Sequence, residues 1–175
     1  MSIEDTALPL RFGQEKDELI STAEMVGKLK AAVAAKKDPA TVIAGRTAAL
    51  KVEGVEATCA RAKAYAACGV DCIFVVGVET VAQVKAVHEA SKLPIIVGSA
   101  PASIKREEFL AVGARVLLQG HQPLAGAVKV LREIYSHLYN GGAAADLKSK
   151  IASNEEMDKM THNDQYKQWI KTYMK

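Results

Sequence analysis

The chain repeats one structural unit at an interval of about 20–30 residues. Short apolar runs begin near residues 41, 71, 94 and 115, and stretches with helical spacing separate them. The run at 72–76 is apolar at every position, as expected of a strand in a parallel sheet that is covered on both faces. Strands of this kind that alternate with helices indicate parallel βα units. We therefore expect an α/β fold.

Start and stop signals for helices lie between these runs. Ser21 and Glu24 have the spacing of a capping box, and Thr80 is the predicted N-cap of a later helix. Gly69 and Gly113 are the predicted ends of two further helices. Residues 2–5 are a candidate for an additional strand, which brings the predicted sheet to about five strands.

The last part of the chain departs from this repeat. A long helix is predicted over 123–139, and a terminal helix over 164–174 carries an aromatic stripe. We predict a β/α domain over 1–142 and a helical tail over 143–175. The stripe is expected either to pack on its own chain or to dock on a neighbouring subunit.

Composition excludes several classes of protein. The 175 residues include 23 basic and 20 acidic side chains, and a net charge of +3 is too small to suggest nucleic-acid or membrane partners. No apolar run approaches the roughly 20 residues that span a bilayer. Three cysteines without a CxxC pattern argue against a disulfide framework and for a reducing compartment. We therefore expect a cytoplasmic globular protein.

Two architectures fit a parallel sheet of this size. A complete (β/α)8 barrel typically needs about 250 residues, so the choice lies between an open doubly wound sheet and an incomplete barrel. The nucleotide-binding patterns GxGxxG and GxxxxGK[ST] do not occur. In barrels, reacting groups lie at the carboxyl ends of strands, where this sequence places Glu4, Arg46 and His121. A carboxylate, a guanidinium and an imidazole are thus expected at one end of the sheet.

Several ordered motifs carry a resemblance to a known family. The segments IEDT at 3–6, IAGRT at 43–47 and RAKAY with GVD at 61–71 resemble the isocitrate lyase/phosphoenolpyruvate mutase superfamily, most closely its oxaloacetate decarboxylase branch. The resemblance covers nearly the whole chain. It implies a partial (β/α)8 TIM-type barrel that begins at the fourth strand, and a last helix that is exchanged between subunits of a homo-oligomer.

The resemblance also implies a chemistry and a set of site residues. Members react through an enolate of pyruvate or a similar 2-oxo acid, which Mg²⁺ stabilises. Arg46 resembles the catalytic clamp on the substrate carboxylate, because a guanidinium binds a carboxylate bidentately. Thr47 beside it is assigned to substrate binding. His121 resembles a polar catalytic and substrate-binding group near the carbonyl or the leaving carboxylate, and Glu4 resembles the carboxylate that holds the metal through water.

The same residues have structural alternatives. Glu4 is also interpretable as a solvated acid, Arg46 as the partner of Glu4 or Asp5 in a structural ion pair, and His121 as a helix cap. These alternatives stay open at the level of sequence.

The chain departs from the family pattern at three places. Phe12 stands where the lyases carry a cysteine, which disfavours cleavage of isocitrate and favours decarboxylation. Ala48 replaces a polar residue two positions after the arginine. The Asp-x-Asp motif that binds the metal directly is absent from the 175 residues. The direct ligands of Mg²⁺ are therefore missing from this chain.

Two functional hypotheses follow. The first is an oxaloacetate decarboxylase-like lyase that acts on a small 2-oxo dicarboxylate through a metal-stabilised pyruvate enolate. It would work as a homo-oligomer or with a complementing N-terminal chain. The alternative is a non-catalytic, truncated member of the family that keeps the fold but lacks the metal-binding carboxylates.

Overall fold

A computed structural model describes residues 1–9, 12–14, 16–120 and 122–174. The chain divides into two compact units, Met1–Gly120 and His121–Lys175. This division assigns the long helix that begins at Gln122 to the second unit, whereas the boundary predicted from the sequence lies after residue 142. The predicted domains 1–142 and 143–175 stay a prediction.

The first unit alternates strands and helices. Its strands, among the described residues, are β1 (Ser2–Glu4), β2 (Ala44–Thr47), β3 (Cys72–Val76), β4 (Ile95–Gly98) and β5 (Ala114–Leu118). Its helices are α1 (Thr22–Ala35), α2 (Ala49–Val52), α3 (Val55–Ala66), α4 (Val81–Ser91) and α5 (Arg106–Ala111). The second unit contains α6 (Gln122–Tyr139), a 3-10 turn (Ala144–Leu147), α7 (Asn154–Met160) and α8 (Asn163–Tyr173).

The helix boundaries follow from local side-chain chemistry. The Ser21 hydroxyl accepts the Glu24 backbone N–H at 3.1 Å, which starts α1. Thr80 and Gln83 form a complete capping box at the start of α4. Gly69 and Gly113 adopt φ values of 85° and 103° after α3 and α5, a region that favours glycine. The predicted N-caps at Ser21 and Thr80 are confirmed.

All five strands are parallel and lie in the order β1-β2-β3-β4-β5. Each strand therefore pairs with the next one in the chain, and the described sheet has no point at which the order reverses. Doubly wound sheets have such a reversal, whereas barrel walls do not. The topology thus selects the incomplete barrel over the doubly wound sheet.

The hydrophobic core of the first unit lies on one face of the sheet. Buried residues of α1, α3, α4 and α5 form a single cluster with Ile73 and Val75 of β3 and with Ile95 and Val97 of β4. Phe74 and Ile96, on the opposite face, are only partly buried and do not belong to this cluster. In a barrel this second face is the inner face, which the barrel interior covers rather than a layer of helices. The predicted partial (β/α)8 TIM-type barrel is confirmed.

Some boundaries differ from the sequence prediction. Strand β2 begins at Ala44 instead of residue 41, because the Ile43 backbone N–H donates to the Asp71 carboxylate at 2.8 Å before the ladder starts. This bond is the main cause that lowers the pKa of Asp71. The short helices α2 and α7 were not predicted, although Ser153 and Glu156 form a capping box at the start of α7.

The second unit is helical and exposes apolar side chains. Tyr166 and Trp169 of α8 meet edge to face, with ring centroids 5.3 Å apart. These two residues are exposed, as are Ile170 and Tyr173, so the predicted aromatic stripe is present. Within the part of the chain that the structure describes, no helix is long and apolar enough to cross a membrane.

Candidate active site

Two side chains of opposite charge meet at the carboxyl ends of β1 and β2. Glu4 and Arg46 occupy paired positions in the parallel register. Because paired residues project from the same face of a sheet, their side chains can meet. Arg46 Nη2 lies 3.1 Å from Glu4 Oε2, and the two side chains keep 37% and 29% of their surface exposed. The guanidinium is therefore anchored on one side and still open to solvent.

An aromatic ring supports the same guanidinium. Phe74 is the β3 residue paired with Arg46, and Arg46 Cζ lies 5.1 Å from the centroid of its ring. This is the distance of a cation–π contact. Gly98 at the end of β4 makes room for the ring, because a Cβ there would lie 2.9 Å from Phe74 Cε2. Glycine at this position thus favours the ring position that supports Arg46.

A polar network, buried except for Glu53 at its edge, lies directly behind this pair, and we call it the Asp5 network. Its members are Asp5, Tyr65, Arg61 and Glu53. The Tyr65 hydroxyl donates to Asp5 Oδ2 at 2.8 Å, and Arg61 Nη1 lies 3.5 Å from the same oxygen. Asp5 and Tyr65 are fully buried, and Arg61 is 6% exposed. Their polar atoms are paired, as burial requires.

Within this network, Arg61 binds Glu53, at the end of α2, and the backbone of Ile20, before α1. Its Nε and Nη2 each donate to a Glu53 carboxylate oxygen at 2.8 Å, and its Nη1 donates to the Ile20 carbonyl at 3.0 Å. The bidentate bond from Arg61 lowers the pKa of Glu53 and raises the pKa of Arg61. Burial is the main cause that raises the pKa of the Tyr65 phenol. Tyr65 therefore remains a neutral hydrogen-bond donor.

The predicted site residues are only partly brought together. Glu4 and Arg46 meet, whereas Thr47 is fully buried and its hydroxyl accepts the Ala49 backbone N–H at 3.1 Å. Successive residues of a strand point to opposite faces, so Thr47 lies on the helix-covered side. His121 lies outside the described residues. The functional roles of these four residues stay predictions.

The four residues of the Asp5 network were not predicted from the sequence to form a unit. One signal was available: Arg61 and Tyr65 are four residues apart and therefore share one face of α3. Phe74 and Gly98 were missed as well, because their importance depends on the register between strands.

The described residues do not fit a directly bound Mg²⁺. They contain no group of three His, Cys, Asp or Glu side chains that could hold a metal ion. Glu4 is paired with Arg46, and Asp5 is engaged by Tyr65 and Arg61. This agrees with the absence of an Asp-x-Asp motif.

Comparison with known proteins agrees with the partial barrel seen in the fold. The phosphoenolpyruvate phosphomutase family model matches residues 1–139. The chain therefore belongs to the phosphoenolpyruvate phosphomutase family.

Curated relatives are similar over nearly the whole chain. An oxaloacetate decarboxylase of Bradyrhizobium sp. (strain BTAi1) is 41% identical over 175 residues, which cover 99% of this chain and 60% of the relative. An oxaloacetate decarboxylase of Rhodopseudomonas palustris (strain CGA009) is 42% identical over 94% of this chain and 57% of the relative. The chain thus spans about three fifths of the length of these relatives.

Solved structures confirm the fold. A phosphonopyruvate hydrolase in complex with oxalate and Mg²⁺ superposes with a TM-score of 0.80 at 22% identity, over 99% of this chain and 62% of the other. An oxaloacetate acetylhydrolase in complex with 3,3-difluorooxalacetate superposes with a TM-score of 0.66 at 25% identity, over 93% of this chain and 60% of the other.

Proposed function

We propose that this chain carries the substrate-carboxylate part of an oxaloacetate decarboxylase-like active site, acting on a small 2-oxo dicarboxylate. The observation that carries the proposal is the Glu4–Arg46 pair, with Arg46 anchored at 3.1 Å and partly open to solvent at the carboxyl end of β2. The names of the curated relatives support the choice of substrate class.

We assign to Arg46 the binding of the substrate carboxylate that is retained in pyruvate. A guanidinium has five N–H donors, so the ion pair to Glu4 leaves donors for a bidentate bond to a substrate carboxylate. Glu4 and the Phe74 ring hold the guanidinium at two sides, which reduces the loss of rotamer freedom on binding. The site therefore orients the 2-oxo acid before the reaction.

The reaction itself breaks one carbon–carbon bond. The electrons of the bond between C3 and the leaving carboxylate move into the C2–C3 bond, and the π electrons of the C2 carbonyl move onto its oxygen. CO₂ departs, and the resulting enolate of pyruvate is then protonated at C3 and returns to the ketone. Arg46 keeps the remaining carboxylate in place and offsets part of the negative charge. We retain His121 as a polar group near the carbonyl or the leaving carboxylate. We assign to Thr47 the role of stabilising the turn after β2, because its hydroxyl accepts the Ala49 backbone N–H.

The metal in this proposal would need direct ligands beyond the described residues. Mg²⁺ would stabilise the enolate oxygen, with Glu4 as an outer ligand through water. Since the described residues do not form a direct site, we infer that carboxylates from outside these residues would supply the direct ligands. The exposed stripe of α8, with Tyr166 and Trp169, supports docking of the terminal helix on a neighbouring subunit.

A second candidate function has its own support. The absence of a three-ligand acidic cluster among the described residues favours a family member that keeps the fold and the carboxylate-binding arginine without catalysis. Such a protein would bind a dicarboxylate and leave it unchanged.

Pyruvate release from oxaloacetate distinguishes the two functions. In an assembly that includes the additional carboxylates, we expect a Mg²⁺-dependent rate above the free-metal background, measured by reduction of the pyruvate formed in a coupled assay. This excess should be lost in Arg46→Ala. Native mass spectrometry with and without Mg²⁺ would give the copy number, any companion chain and any bound ion. Oxalate binding without excess pyruvate release, in every assembly found, would favour the non-catalytic function.

Gly98→Ala tests the support that Phe74 gives to Arg46. The new Cβ would lie 2.9 Å from Phe74 Cε2, so the ring must shift away from its place against the guanidinium. A partly exposed cation–π contact contributes about 0.5–1 kcal/mol, so oxalate should bind about two- to fivefold more weakly in an NMR titration. Gly27→Ala is the control, because a Cβ there meets nothing within 4 Å. Equal affinities of the two variants would contradict the prediction.

A further inference from the structure

We propose that Asp5 and Tyr65 are positioning residues, which fix the backbone of Arg46 so that its guanidinium meets the substrate carboxylate. The inference rests on the proposed function of Arg46. Neither residue faces the site, and both act through the backbone at the end of β2.

The first step is the position of Asp5 beside Arg46. The Asp5 backbone N–H donates to the Arg46 carbonyl at 3.2 Å, and Asp5 Oδ1 accepts the Ala48 backbone N–H at 3.2 Å. One residue thus binds the chain on both sides of Thr47, just where β2 ends. Asp5 also follows Glu4 directly, so it constrains both members of the ion pair.

The second step is the way in which Asp5 is itself held. The Tyr65 hydroxyl donates to Oδ2 at 2.8 Å, and the Asp5 carbonyl accepts the Ile20 N–H at 2.8 Å. Arg61 supplies a positive charge 3.5 Å from Oδ2. Because Asp5 is fully buried, water cannot replace these partners without opening the structure. The carboxylate therefore has a single orientation, with Oδ1 directed at Ala48.

Tyr65 reaches Asp5 because α3 lies close to β2. Tyr65 lies on α3 and packs against β2 at Gly45, where an added Cβ would be 3.3 Å from Tyr65 Cβ. The absence of a side chain at the residue before Arg46 allows α3 to approach this closely. Strand β2 therefore carries both the proposed substrate-binding Arg46 and the glycine, Gly45, that lets Tyr65 approach closely.

Removal of the Tyr65 hydroxyl should loosen this arrangement locally. In Tyr65→Phe, Asp5 Oδ2 loses its shortest hydrogen bond while the aromatic ring still fills the core. Asp5 then has more than one favourable orientation, and its bond to the Ala48 N–H weakens. Arg46, two residues before Ala48, loses a defined position.

The experiment is an amide NMR study of the full chain and of Tyr65→Phe, with oxalate as the probe. We expect the oxalate Kd of the variant to rise about five- to tenfold. We also expect hydrogen exchange of the Ala48 amide to accelerate more than that of Val75 and Val97 in the core strands. Tyr139→Phe, which alters an exposed phenol at the end of α6, should change neither quantity.

A merely structural role of Tyr65 would give a different result. It would accelerate all core amides equally and leave the oxalate Kd of the folded protein unchanged, and that outcome would overturn the inference. Gly45→Ala serves as a second variant, because it displaces Tyr65 by a few tenths of an ångström and should move both readouts in the same direction by a smaller factor. If the unaltered chain binds no oxalate, the proposed function fails, whereas the Ala48 amide still tests the network by itself. An unchanged Ala48 amide in both variants would then refute the network.

Discussion

Arg46→Ala is expected to weaken oxalate binding by about 10- to 100-fold, the loss typical of hydrogen bonds to a charged group in a partly open site. Arg46→Lys should recover only part of this loss, because an ammonium lacks the planar pair of donors that a carboxylate accepts. The measurement is an NMR or calorimetric titration with oxalate. The same variants should lose any excess release of pyruvate from oxaloacetate.

Two controls separate ligand binding from the purely structural alternative for Arg46. Arg106→Ala removes the same charge from an exposed position on α5 and should leave oxalate affinity within about twofold. Glu4→Gln removes the negative charge 3.1 Å from the guanidinium, while the glutamine amide oxygen can still accept a hydrogen bond from Arg46 and hold it in place. Oxalate should therefore bind at least as tightly as before. Unchanged oxalate affinity in Arg46→Ala, together with a lower free energy of unfolding, would reduce Arg46 to a structural ion-pair residue.

The repeat of strands and helices could be predicted because each unit carries its own signals. Apolar runs and capping residues are local, so β3 agrees with its predicted range and Thr80 caps α4. The start of β2 could not be read locally. It depends on the Asp71 carboxylate, 28 residues away, which accepts a hydrogen bond from the Ile43 backbone N–H in place of a strand partner. Long-range side-chain bonds of this kind leave no pattern in the sequence of a single strand.

The charged pair was predictable, and the network behind it was not. Parallel strands end at one edge, so Glu4 and Arg46 were expected to meet there, and they do. Alternation along β2 also indicates that Thr47 points away from Arg46, a consequence that the sequence analysis did not draw. Asp5 and Tyr65 lie 60 residues apart, and a buried carboxylate looks like any acidic residue in the sequence.

Arg61→Met is expected to destabilise the first unit by about 3 kcal/mol, near the low end for breaking a buried ion pair. Methionine fills much of the same volume but removes the guanidinium that lies 3.5 Å from Asp5 Oδ2. Asp5 keeps its bonds from Tyr65 and Ala48, which is why the expected loss is not larger. The measurement is urea unfolding followed by circular dichroism, with Arg106→Met as the exposed control, expected within about 0.5 kcal/mol of the unaltered chain.

The pH dependence of this loss tests its cause. The bond from Arg61 lowers the pKa of Glu53 below its ordinary value of 4.5, so the pair stabilises the fold above that pH and the stabilisation disappears as the pH falls through the lowered pKa. Arg61→Met has no such contribution to lose. The difference in unfolding free energy between the two proteins should therefore shrink as the pH falls below about 4.5. A constant difference from neutral pH through the acid range would show that Arg61 acts through packing alone, since the packing of its aliphatic stem does not titrate.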